Sequence, residues 1–156
     1  MDAERDETPA EKADRNWIEL LQELRVAQTG IQILAGFLLT IPFSQRFSDM
    51  HDGYRTLYLV CFGLAAIATG LLIAPVTFHR YLFGQHEKDV LVAVGDSLAK
   101  VGLTALGLTL VAVVVLIFGF VMGTVTGLVA GGLMAAFFAL VWVALPIRLL
   151  SRREHD

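Results

Sequence analysis

The side chains best placed to do chemistry form a polar stripe inside an otherwise apolar stretch. Arg25, Gln28, Thr29, Gln32 and Gly36, set out at ~100° per residue, fall within about 100° of helical arc. Polar groups in hydrocarbon must find partners, so such a face turns toward other helices or lines a wet cavity. Two roles are open to it. The glutamines can hydrogen-bond across helices and hold a bundle together, or the stripe can form one wall of a hydrated ion path. No carboxylate lies deep in any apolar segment. The stripe therefore lacks the mid-membrane ionisable group that cation/proton exchange ordinarily uses.

Other reactive residue types are sparse. Asp96 and Lys100 stand in the favourable i,i+4 order for an ion pair, read either as surface charges at a helix end or as a charged vestibule. His79 and His86 are seven positions apart, with Glu87 and Asp89 nearby, whereas helical metal sites bring histidines four apart. No metal site and no cofactor are expected. The glycine-rich segments carry no P-loop lysine, and no Ser-His-Asp or Cys-His set stands in a recognisable context. An enzyme is not expected. Cys61, the single cysteine, cannot form an internal disulfide and reads as a small packing residue. No basic patch with interleaved aromatics argues for nucleic acid.

The elements that must position these residues are membrane helices. In a chain of 156 residues, a hydrophobic fraction of 56% exceeds what a soluble core needs. Eight of the fifteen acidic residues fall in the first 23 positions, whereas Val101 to Ile147 holds no Asp, Glu, Lys, Arg or His. Residues 1–16 are polar and rich in acids, with no apolar core behind a basic start. They read as a disordered or loosely helical tail and not as a cleavable signal. Two helix starts compete, Thr8-Pro9-Ala10-Glu11 and Asn16-Trp17-Ile18-Glu19. The second is favoured because the apolar pattern begins at Trp17. Residues 17–25 then form an amphipathic interfacial helix, with Trp17 suited to headgroup level.

Four spans are predicted over about 26–43, 56–78, 98–121 and 126–147, each near the ~20 residues that cross a ~30 Å core. Pro75 should kink or end the second. Glycines between Gly119 and Gly127 supply a tight turn between the last two, where Thr124 or Thr126 can cap the next helix. Residues 148–156 form a basic tail. The predicted architecture is all-α, a four-helix transmembrane bundle over 26–147 with an amphipathic N-terminal extension. Small residues recur every four positions at Ala66, Gly70 and Ala74, and again at Gly127, Gly131, Ala135 and Ala139. Such ridges let backbones approach closely, within one chain or between subunits.

Ten basic residues (Arg5, Lys12, Arg15, Arg25, Arg80, Lys88, Lys100, Arg148, Arg152, Arg153) fall on one side of this layout and two, Arg46 and Arg55, on the other. That asymmetry puts both termini in the cytoplasm of a cell with the protein in its inner (plasma) membrane. Spans one and three then start at the same face, and Arg25 is expected to pair with Asp96. The expected partners are the lipid bilayer and either further copies of the chain or a larger membrane complex.

Two stretches carry a resemblance. NWIELLQELRVAQTGIQILAGFLLTIPFSQRF from Asn16 to Phe47 and LLIAPVTFHRYLF from Leu71 to Phe83 are similar to a family of small, uncharacterised four-helix membrane proteins found chiefly in actinobacteria. Some members are labelled sodium:proton antiporters. The resemblance implies a four-span fold and, through that label, ion exchange; it supplies no functional residues. Four short helices are few for an inverted-repeat transporter unless subunits associate.

Overall fold

The computed structural model describes residues 8–82 and 88–153. Within them the chain forms α1 (Pro9–Thr40), two short 3-10 turns (Ile41–Phe43 and Gln45–Phe47), α2 (Asp52–Leu82), α3 (Lys88–Met122) and α4 (Thr124–Ala139). A single π-helical segment, Leu140–Ala144, carries α4 into α5 (Leu145–Arg153). Four helical stretches are long and apolar enough to cross a membrane: Arg15–Phe43, Asp52–Thr77, Ala93–Met122 and Thr124–Arg148. The protein is an all-α, four-helix membrane protein.

Helix α1 starts earlier than expected. Thr8, not Asn16, caps it. The Thr8 hydroxyl accepts from the Glu11 amide at 3.4 Å, and the Glu11 carboxylate accepts from the Thr8 amide at 2.8 Å. Both halves of a capping box are made, with Pro9 at the first helical position. Donation to the carboxylate from the Thr8 amide, and from the Thr8 hydroxyl at 2.8 Å, holds the Glu11 carboxyl below the usual carboxylate range. Residues 9–16, expected within the tail, are therefore helical, and residues 1–7 lie outside the described residues. His86 and Glu87 lie outside them as well.

Packing of α1 and α2 follows a seven-residue rhythm. On α1, Trp17, Leu24, Ile31 and Leu38 are buried, one per heptad. On α2 the buried set is Tyr58, Cys61, Ala65, Ala68, Leu72 and Pro75, alternating steps of three and four. Strict heptads keep one seam facing its partners only if the helices wind about each other in a left-handed sense. Trp17 is buried rather than displayed at the surface. Its ring lies where a Cβ on Gly95 of α3 would come within 2.7 Å of it, so only glycine admits it.

Pro75 neither ends nor interrupts α2, which continues to Leu82. Its ring is buried in the seam. Helix α4 stands apart, packing on α3 and on neither α1 nor α2 to any comparable extent. The bundle is thus a tight three-helix unit with α4 laid along its α3 side.

Candidate functional site

The polar stripe of α1 divides. Gln28 is half-buried and its Nε2 donates to the Leu72 carbonyl of α2 at 2.7 Å. Arg25, Thr29, Gln32 and Gly36 are exposed. Thr29 returns its hydroxyl to the Arg25 carbonyl of its own helix at 2.9 Å, while Gln32 has no hydrogen bond among the described residues. The reason is angular. The buried seam through Leu24 and Ile31 lies to one side of the stripe, and only Gln28, nearest that seam, reaches another helix.

The expected Arg25–Asp96 pair is not formed. Asp96 pairs with Lys100 on its own helix, Nζ to Oδ2 at 2.6 Å, and Arg25, exposed, has no ion pair among the described residues. A long arginine near a helix end can return to water along its own stem without a partner. The Asp96–Lys100 pair lies at the surface, with Asp96 half-buried and Lys100 exposed.

The two small-residue ridges have different fates. That of α4 is spent inside the chain. A Cβ on Gly127 would lie 2.7 Å from both the Gly119 Cα and the Val115 carbonyl oxygen, and one on Gly131 would overlap the Val115 side chain. The α3 and α4 backbones touch there, as small-residue ridges permit. Further along, Ala135 and Ala139 are exposed and line a groove. On α2, Ala66 and Gly70 are exposed and Ala74 is half-buried, with nothing within 4 Å of a Cβ placed on Gly70. That ridge touches no other helix at Gly70.

At the opposite end, aromatic residues tie the turns. Tyr54 donates its hydroxyl to the Gly119 carbonyl at 2.7 Å and stands 3.0 Å from the Thr124 hydroxyl. Thr124 thus serves Tyr54 instead of capping α4. The turn itself is one residue, Gly123, at φ 97°, a conformation that costs other L-residues but not glycine. Arg55 donates to the Ser48 carbonyl at 2.9 Å and lies over the Phe47 ring at 5.9 Å. Phe47 meets Tyr58 edge-on at 5.4 Å, and Tyr58 donates to the Leu38 carbonyl at 3.1 Å. The contacts of Tyr54 and Tyr58 are not legible in the sequence, since no spacing rule links Tyr54 to a glycine 65 positions away.

Among the described residues no three His, Cys, Asp or Glu side chains gather in a way that could hold a metal. Cys61 is a free thiol, fully buried in the α2 seam.

Residues 6–146 match the model of a family described as a family of unknown function, DUF6328. The chain belongs to DUF6328. The matched stretch covers the greater part of all four spans of this chain and stops at Pro146. No curated protein and no solved structure matches the chain. Membership of DUF6328 accords with the resemblance seen over Asn16–Phe47 and Leu71–Phe83 and extends it through the last two spans.

Proposed function

We propose that this member of DUF6328 is a non-enzymatic structural or accessory membrane component that self-associates or joins a larger membrane complex. One observation carries the reading. Gln32, near the middle of the first span, is exposed and has no hydrogen bond among the described residues. A carboxamide facing lipid loses the partners that water would give it, and a neighbouring helix supplies them. The exposed Ala66 and Gly70 of the α2 ridge offer a surface where a second helix backbone can come close. Native mass determination in mild detergent tests this. The wild-type chain should run as an oligomer or with bound partners, and Gln32→Leu or Gly70→Leu should shift it toward the monomer. A monomeric wild type free of partners would overturn the reading.

Both termini are assigned to the cytoplasm and the protein to the plasma membrane, on the strength of the ten-to-two distribution of basic residues. A cysteine introduced at Ser48 should react with an impermeant thiol reagent in intact cells, and one at Gln85 should not. Native Cys61, fully buried, adds little background.

The second reading is a small oligomeric ion channel or cation/proton transporter in which Gln32 faces a wet path between copies. The same exposed carboxamide supports it, and the lack of a carboxylate deep in any span weighs against exchange. Ion flux into liposomes that is lost in Gln32→Leu, with oligomeric mass unchanged, would favour this reading over the first.

A further inference from the structure

Helices α3 and α4 touch at Gly127 and Gly131 and then part, leaving a groove of about 820 Å³ toward the end of the bundle that carries the termini. The groove exists because little fills it. Gly107 of α3 has no side chain there, and Ala135 and Ala139 of α4 contribute single methyls. The π-helical segment swings Trp142 over Gly107, where a Cβ would meet the ring at 3.1 Å, and the indole forms one wall. Extra residues of this kind inside a helix often mark functional sites. Lys100 stands at the rim and is the single charged residue in the lining.

The dimensions and charge identify an occupant. From Lys100 to Val111, both in the lining, α3 rises about 16 Å, which is about half of the ~30 Å hydrocarbon core. The groove therefore spans one leaflet, apolar along its length and cationic at its outer end. We propose that it binds one acyl chain of an anionic phospholipid, with the lipid phosphate at Lys100. Arg148, exposed two residues beyond Pro146 of the lining, adds a second cation at the same face. Asp96 opposes them, because it holds the Lys100 ammonium at 2.6 Å, and the lipid phosphate has to share that ammonium. An unfilled apolar gap facing the bilayer forfeits dispersion contacts along its whole wall, and a lipid chain restores them.

The test uses purified full-length protein in detergent, incubated with dioleoyl phosphatidylglycerol or dioleoyl phosphatidylcholine, with bound lipid counted by native mass spectrometry. The wild-type protein should retain phosphatidylglycerol in preference to phosphatidylcholine, one molecule per chain. Lys100→Gln should lower that preference about fivefold, as expected for one interfacial cation, and Asp96→Asn should raise it by freeing the ammonium. Ala135→Phe, which fills the groove, should remove both lipids, and inorganic phosphate alone should not compete. Equal retention of the two lipids by the wild type would overturn the proposal. Charge variants without effect would do the same, and they alter exposed or half-exposed positions and so do not depend on the tolerance of Ala135→Phe. If Ala135→Phe splits an oligomer instead of releasing lipid, the groove is an interface between copies. Gln32→Leu should leave lipid retention unchanged, so this proposal and self-association through α1 and α2 can fail separately.

Discussion

Gln28 and Leu72 are joined across α1 and α2, the carboxamide nitrogen donating to the backbone carbonyl at 2.7 Å. The acceptor lies in the helical turn that Pro75 weakens. Proline has no N–H, so the carbonyl of Leu71, four residues earlier, loses its ordinary donor, and the ring crowds that turn. Membrane helices tolerate such prolines where neighbouring side chains reach the disturbed backbone. Gln28 does this for the adjacent carbonyl, which fits the continuation of α2 past Pro75 to Leu82.

Gln28→Leu, close in volume, should lower stability by about 1 kcal/mol, in the range of interhelical side-chain bonds in membranes. Gln32→Leu should leave the stability of an isolated monomer within about 0.5 kcal/mol, since an exposed position far from packing changes little. Unfolding in mixed micelles checks both, and equal losses would show that the stripe acts as a unit.

Along the α3–α4 contact, Gly127→Ala should cost more than Gly131→Ala. The new methyl at 127 meets backbone, the Gly119 Cα and the Val115 carbonyl, which cannot move without separating the helices. At 131 it meets a valine side chain, stiff in a helix but able to shift at some cost. Overpacking of this kind typically costs about 1–3 kcal/mol. Leu133→Phe, at a position 68% exposed, should be close to neutral. Thermal stability in detergent that ranks the three otherwise would remove this ridge from the packing scheme.

Tyr54→Phe removes the donor to Gly119 and the contact with Thr124 while keeping the ring edge-on to Phe120. A loss of about 1 kcal/mol is expected. Thr124→Val should cost less in the wild type and nothing further in Tyr54→Phe. Strict additivity in that double-mutant cycle would show that the two hydroxyls do not interact.

Acid should fray the start of α1. The Glu11 carboxyl titrates below its usual range because it accepts the Thr8 amide and hydroxyl. A carboxylate whose folded pKa is depressed contributes stability above its unfolded pKa and loses it as pH falls through the folded value. Hydrogen exchange at Glu11 and Lys12 should therefore quicken, after correction for intrinsic rates, as the solution is acidified below the ordinary glutamate range. Thr8→Ala should return the Glu11 midpoint to that range, measured by carboxyl NMR. An unchanged midpoint would mean the capping box is not formed in solution.

The spans and the α3–α4 turn were readable from residue types because hydropathy over twenty residues is a strong signal and only glycine takes the Gly123 backbone at ease. The inward faces were not. In a soluble protein Leu24, Ile31 and Leu38 would stand out from a polar surface, but here Ile33, Phe37 and Leu39 on the outer face are equally apolar and exposed. Binary pattern carries no contrast when both faces are greasy, so the heptad seam went unnoticed. The same blindness affected the stripe, where Gln28 and Gln32 differ by about 40° of helical arc yet one reaches α2 and the other faces outward. The competing start at Thr8 was visible as a motif. It was passed over because apolar periodicity begins later, although a capped helix can extend ahead of the residues it buries.

The one-residue turn at Gly123 bears on how the chain enters a bilayer. Its amide donates to the Gly119 carbonyl at 3.0 Å and its carbonyl accepts from the Gly127 amide at 3.1 Å, so both polar groups of the turn residue are bonded while the chain reverses. Between Met122 and Thr124 there is no hydrated loop to drag through the hydrocarbon and no charge to hold back. The two helices can therefore cross as one folded pin, at little more than the cost of inserting apolar surface. Because α4 packs chiefly on α3, the fourth span meets its partner immediately upstream as it leaves the ribosome and does not wait unpaired in the lipid.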